Sequence, residues 1–237
     1  MSKRHALALL LAACGVLSGC QKQAASTPAA TRTAPATTPE KAAAAPASPT
    51  LAVASKTYGG PFGLAASMPV AELARLDFKP IEANSTIFTG TAPKPMEGID
   101  DYAVLATSET GVCRIMANAN LSVVNGSGDQ IKARVDQLAE LMATKYGKHS
   151  SKIDYVGEDV YRRNPEYWMM ALKEDSAVYG YTWKTGKTET ALPADVDRIE
   201  ISAGAMRTDS GWAQIRYTFK NMDSCTADNK KRKAASL

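Results

Sequence analysis

The chain has 237 residues, 45% of them apolar and 22% charged, with a formal net charge of +4. That excess sits at the ends. Setting aside Lys3 and Arg4, the stretch 21–56 (Lys22, Arg32, Lys41 and Lys56 against Glu40) and the Lys230-Lys231-Arg232-Lys233 run leaves 18 basic against 23 acidic residues over 57–229, a net −5; this excludes a nucleic-acid reader, whose basic charge must cluster on the fold itself.

Lys3 and Arg4 precede about a dozen residues of Ala, Leu, Val, Cys and Gly over 6–17, too short to cross a bilayer core and suited to a secretory leader. The leader runs into Leu17-Ser18-Gly19-Cys20, which resembles the lipobox of bacterial lipoprotein signal peptides. The resemblance implies cleavage before Cys20 and acylation of that residue, palmitate included. Three acyl chains would hold the protein stably on the bilayer, where one holds weakly. Leu11-Ala12-Ala13-Cys14 is a second match, but it leaves too little apolar length before the cut. The alternative is an ordinary secretory leader with a fortuitous cysteine. In the lipoprotein family an Asp after the acylated cysteine commonly signals inner-membrane retention; here Gln21 follows it, which implies the outer membrane with the folded part facing the periplasm.

Residues 21–56 are almost wholly Ala, Pro, Thr, Ser and a few Lys, with no aromatic residue and no apolar period. Such a segment cannot bury enough surface to offset its ordering entropy and reads as a tether. As a coil its reach is roughly 30–35 Å.

Residues 57–229 are enough for one domain with a core. A turn-rich opening, Tyr58-Gly59-Gly60-Pro61-Phe62-Gly63-Leu64, leads to a short helix with Ser67 as N-cap, Pro69 in the first turn and Val70, Leu73 and Leu76 on one face. Strands are expected over 81–89, 102–107 and 112–118, the last two joined as a hairpin across Ser108-Glu109-Thr110-Gly111, with Pro93-Lys94-Pro95 as an extended break. The clearest helix is 130–146. Asp129 caps it, Ile131, Val135, Leu138, Leu141, Met142 and Tyr146 form its apolar stripe, and Gly147 stands where a left-handed residue is wanted. Residues 153–156 form a short strand, Asn164-Pro165-Glu166 opens another helix, and 167–172 reads as helix or as a strand paired with 178–183. A hairpin of 196–206 and 212–220 closes the domain, with Ala213, Ile215, Tyr217 and Phe219 sharing a face. Residues 230–237 are left as a basic tail, a solvated terminus or a contact for anionic lipid or cell-wall polymer.

This order points to an α+β fold, an antiparallel sheet with helices packed on one face and two helix-plus-strands halves. Phe62-Gly63-Leu64, the segment 68–73, Pro93-Lys94-Pro95, Gly111-Val112-Cys113-Arg114-Ile115, Lys145-Tyr146-Gly147-Lys148 and Trp168-Met169-Met170 together resemble a family of small envelope proteins of Gram-negative bacteria that carries no established activity. The chain has Ser67 where that family would carry a second Gly before Met68. The duplicated helix-plus-sheet plan is also similar to small periplasmic modules of the β-lactamase-inhibitor and outer-membrane-assembly type, which present a sheet face to protein partners; that is a likeness of fold.

With Cys14 lost to the leader and Cys20 to lipid, Cys113 and Cys225 remain, and in an oxidising periplasm they most economically form one disulfide. Two buried free thiols are the alternative. His149 is the one histidine beyond the leader, set in a loop without a nucleophile elbow, and it cannot build a zinc site with two bonded cysteines. Asp154, Glu158 and Asp159, and Asp195, Asp197 and Glu200, form two acidic runs with neither calcium-loop spacing nor a demonstrable glycosidase pairing. No catalytic residue, metal or cofactor is implied. Aromatic residues concentrate over 155–183 with Arg162 and Arg163 among them, residue types that dominate interfaces, and Tyr161-Arg162-Arg163 is the expected exposed contact. The expected function is a non-catalytic lipoprotein whose domain binds a protein partner, as an immunity or inhibitor protein or an assembly factor. A binder of cell-wall polymer or glycan, and a carboxylate-dependent hydrolase, are the alternatives.

Overall fold

Apolar residues alternate along most of the strands and recur every three or four positions along the longest helix, and the chain folds accordingly. The structure, a computed structural model, describes residues 58–235. A 3-10 turn at Pro61–Gly63 precedes α1 (Val70–Arg75), β1 (Lys79–Pro80), β2 (Ile87–Gly90), β3 (Asp101–Thr107) and β4 (Gly111–Leu121). Then come α2 (Asp129–Tyr146), β5 (Ser151–Val156), α3 (Asp159–Arg163), a 3-10 turn at Pro165–Tyr167, α4 (Trp168–Lys173), β6 (Ala177–Lys184), β7 (Val196–Arg207), β8 (Ser210–Phe219) and α5 (Met222–Ala234). The eight strands make one antiparallel sheet in the order β1-β2-β3-β4-β8-β7-β6-β5. Each half opens on a helix and forms four antiparallel strands, the second with α3 and α4 inserted between β5 and β6, and the halves join where their last strands, β4 and β8, pair at the centre.

The α+β plan matches the sequence expectation, with local corrections. The single strand expected over 81–89 is instead the loop 81–86 of the β1–β2 hairpin followed by β2, because Asn84 takes φ 62° and the Ser85 amide bonds Glu82 O at 3.0 Å. Ser67 does not cap α1: it sits at φ 58° with its amide on Val112 O at 2.8 Å, and Pro69 precedes the first turn. Asp129 is the first residue of α2 rather than its cap. Its carboxylate accepts from Asn125 Nδ2 and Ser127 Oγ, each at 2.8 Å, and these bonds hold its pKa below the usual range. Gly147 ends that helix at φ 73°, as the sequence implied. In its apolar stripe Leu141 points to solvent and Ala139 is buried instead. Residues 168–173 are helical, which decides between the two readings of 167–172. Residues 230–234, read as a tail, lie within α5.

The two faces of the sheet are unlike. Along β8, Ala213, Ile215, Tyr217 and Phe219 are buried, and in register with them stand Ile115, Ala117 and Ala119 of β4 and Ile199, Ile201 and Ala203 of β7. This face carries α2 and α4: Tyr217 contacts Met142 of α2, and the hydroxyls of Tyr179 and Tyr181 both donate to Asp136 of α2 at 2.7 Å. Trp168 of α4 meets the Tyr179 ring edge-on, while Phe62 covers Tyr102 and Tyr217. The residues between them in each strand point the other way. Across the centre of the sheet they are Asn118, Gln214, Arg216, Glu200, Ser202 and Trp212.

Candidate functional site

Cys20 lies outside the described residues, as do the leader and the tether. Cys113 and Cys225 stand at disulfide-bonding distance, Cα–Cα 6.4 Å, linking β4 to α5. Tyr161-Arg162-Arg163, expected to be exposed as a unit, divides. Tyr161 is buried, because α3 turns its ring into the core; its hydroxyl donates to Glu174 Oε2, and that bond pushes its pKa up to about 12. Arg162 is exposed, pairs with Asp159 and donates to Gly157 O at 2.8 Å. Arg163 is exposed as well. Trp168, Tyr179 and Trp183 belong to the core.

His149 packs edge-on against Tyr181, with 4.9 Å between ring centroids, and partial burial together with Lys148 and Lys152 lowers its pKa. Four of the six residues in the acidic runs are engaged locally. Glu158 accepts from Ser176 Oγ, Asp159 pairs with Arg162, and Asp197 and Glu200 pair with Arg198. Among the described residues no group of three or more His, Cys, Asp or Glu side chains is placed to hold a metal.

The most organised polar array lies instead on the face of the sheet opposite α2 and α4, a face that α5 borders only at its β3–β4 end beside Leu105 and that is otherwise open. Asp101 of β3 accepts from Asn118 Nδ2 (2.6 Å) and Asn120 Nδ2 (2.8 Å) of β4. Asn118 Oδ1 accepts from Gln214 of β8 at 2.8 Å, and Gln214 Oε1 accepts from Arg216 Nη2 at 2.7 Å. Arg216 lies 3.9 Å from Glu200 of β7, which pairs with Arg198 at 3.2 Å. One ladder therefore crosses four strands, and it pins each side chain in a single arrangement.

Beside the ladder, the Trp212 indole rests on Gly204, where any Cβ would overlap the ring. Shallow grooves run on both sides of it. One, of about 410 Å³, has Ile153, Gly180, Ser202 and Gln214 in its walls; the other, of about 570 Å³, has Asp101, Asn118, Asn120 and Met206. At the other end of the face, Arg114 of β4, Thr218 of β8 and Arg198 of β7 stand in one register row, with Lys184 of β6 facing Arg198.

Of these residues the sequence singled out only Glu200 as a candidate, in an acidic run. The available signal was the second half of the β8 alternation: Trp212, Gln214, Arg216 and Thr218 occupy the positions between the core residues, marking a face that no apolar layer covers. Compared with protein-family models, with curated protein sequences and with solved structures, the chain matches none.

Proposed function

We propose that this is a non-catalytic lipoprotein of the cell envelope, anchored at Cys20 and carried on the 21–56 tether, whose folded part binds a protein partner as an immunity or inhibitor protein or as an assembly factor. The contact is the open face of the sheet. The observation that carries this reading is the ladder from Asp101 to Arg198 beside Trp212: a rigid, hydrogen-bonded surface with an aromatic anchor between two grooves, rich in the residue types that concentrate binding energy. Sheet strands hold these side chains more firmly than loops would, which lowers the entropy lost on association. Arg162 and Arg163 lie exposed elsewhere, on α3, and form a separate, smaller candidate contact.

A second reading has one observation in its favour. An indole beside Asp101, Asn118 and Asn120 also suits a sugar ring stacked on Trp212 with amide and carboxylate partners for its hydroxyls, as a cell-wall glycan binder would need. Affinity capture from envelope extracts separates the two. The wild-type chain should retain a stoichiometric protein and Ser202→Arg, which plants a bulky charge in the middle of the open face, should lose it while melting normally. Co-sedimentation with peptidoglycan, lost in Trp212→Ala, together with no protein retained, would favour the glycan instead.

A further inference from the structure

The polar ladder of the open face satisfies its members and stops short of two. The Arg114 side chain makes no ion pair and no hydrogen bond among the described residues, and its Nε is buried without a partner. Thr218, next to it in register and 2% exposed, has its Oγ1 buried and equally unpartnered. An unmatched buried donor costs free energy comparable to a lost hydrogen bond, and more when it is charged. Nearby charge compounds the cost. Arg198 and Arg216 share Glu200 at 3.2 and 3.9 Å, and Asp197 reaches only Arg198, at 4.0 Å. Burial, and after it the charge of Arg216, depress the Arg114 pKa. Three guanidinium groups thus converge where the fold supplies carboxylates for two.

The geometry points to Arg114, Thr218, Arg198 and Arg216 as a receptor for a carboxylate presented by an acidic protein partner. This rests on the open-face docking reading and specifies the partner's chemistry. A planar guanidinium takes both oxygens of a carboxylate in a forked pair through its terminal nitrogens, which would neutralise Arg114, with the buried Thr218 beside it in register as part of the floor of the site. The chain's own N-terminal stretch is a poor occupant, because residues 21–56 carry four basic residues against one acidic. A nucleic-acid phosphate backbone would need an unbroken basic track, whereas this face sets Glu200 among the arginines and Asp101 farther along, which suits a single carboxylate contact. Along the same face, Gln214, Asn118 and Ser202 and then, toward the opposite end, Trp212 extend the arginine cluster with the amide and aromatic composition of a protein interface.

The test uses the purified full chain and a fluorescein-labelled hexaglutamate peptide, followed by anisotropy at low salt. Saturable binding is expected, weakened about tenfold or more by Arg114→Met and by Arg216→Met, partly kept in Arg114→Lys, and unchanged in Lys79→Ala, an exposed cation on the edge strand β1. Thermal melts check that each variant is folded. Hexaglutamate binding that survives both methionine variants, or that inorganic phosphate displaces as effectively as unlabelled peptide, would overturn the receptor. The docking reading fails separately. A partner retained by Arg114→Met but lost in Ser202→Arg contradicts the carboxylate anchor alone, whereas a partner retained by Ser202→Arg contradicts the open face itself.

Discussion

Reducing the link between Cys113 and Cys225 should cost the fold a large share of its stability. The two residues are 112 apart in sequence, Cys113 fully buried in β4 and Cys225 buried on α5. Closing a loop of that length removes about 5 kcal/mol of unfolded-chain entropy, and bridges often deliver less, so a loss of about 3–5 kcal/mol is expected on reduction. Helix α5 itself should stay docked. Asp228 still accepts from Thr107 Oγ1 at 2.8 Å, and Arg232 still donates to Asn84 O at 2.8 Å. The loss should therefore appear as a shift of one cooperative transition rather than as fraying of the C-terminus. Urea titration of the full chain, followed by circular dichroism with and without reductant, reads it directly. With a slope of about 2 kcal/mol per molar urea, the midpoint should fall by about 2 M, and the slope should rise because the reduced unfolded chain exposes more surface. A midpoint that moves by less than about 0.5 M, or alkylation of both cysteines without reductant, would refute the reasoning.

Asp136→Ala removes the common acceptor of Tyr179 and Tyr181 and should destabilise the domain by about 2–4 kcal/mol in the same titration, with Tyr179→Phe in the Ala background adding little further loss. Gly204→Val should lift the Trp212 indole off β7; since Trp168 and Trp183 are buried, the resulting red shift in tryptophan emission comes from Trp212. Cys20→Ala should abolish acylation and release the protein from membranes on fractionation, and acylation persisting in the variant or appearing at Cys14 would contradict the anchor.

The elements that the sequence made legible are those whose own residues carry the pattern. The β8 alternation through Ala213, Ile215, Tyr217 and Phe219 and the α2 stripe through Ile131, Val135 and Leu138 are set by burial against a neighbour, so periodicity reports them. Helix α5 has no such stripe. Among its residues only Cys225 is buried, and the helix is held by the cysteine pair, Asp228 and Arg232, contacts with no sequence signature. The β1–β2 hairpin was hidden because Ile81 and the 87–89 segment look continuous across a turn that Asn84 closes in a left-handed conformation. Tyr161 was misread as exposed because its neighbours Arg162 and Arg163 are, while the five-residue α3 turns the ring to Glu174. The open-face array was beyond reach for a different reason. Arg114, Arg198 and Arg216 lie far apart in the chain, and only the pairing of β4 with β8 and β8 with β7 brings them together.

Photocrosslinking in intact cells tests the open-face docking reading most directly. Benzoylphenylalanine placed at Ser202 or Asn120, on the open face, is compared with the same probe at Leu141, exposed on the outer side of α2. The account predicts one protein adduct of the same mass from Ser202 and Asn120 and none from Leu141. Adducts formed from Leu141 alone, with both open-face positions silent, would contradict it.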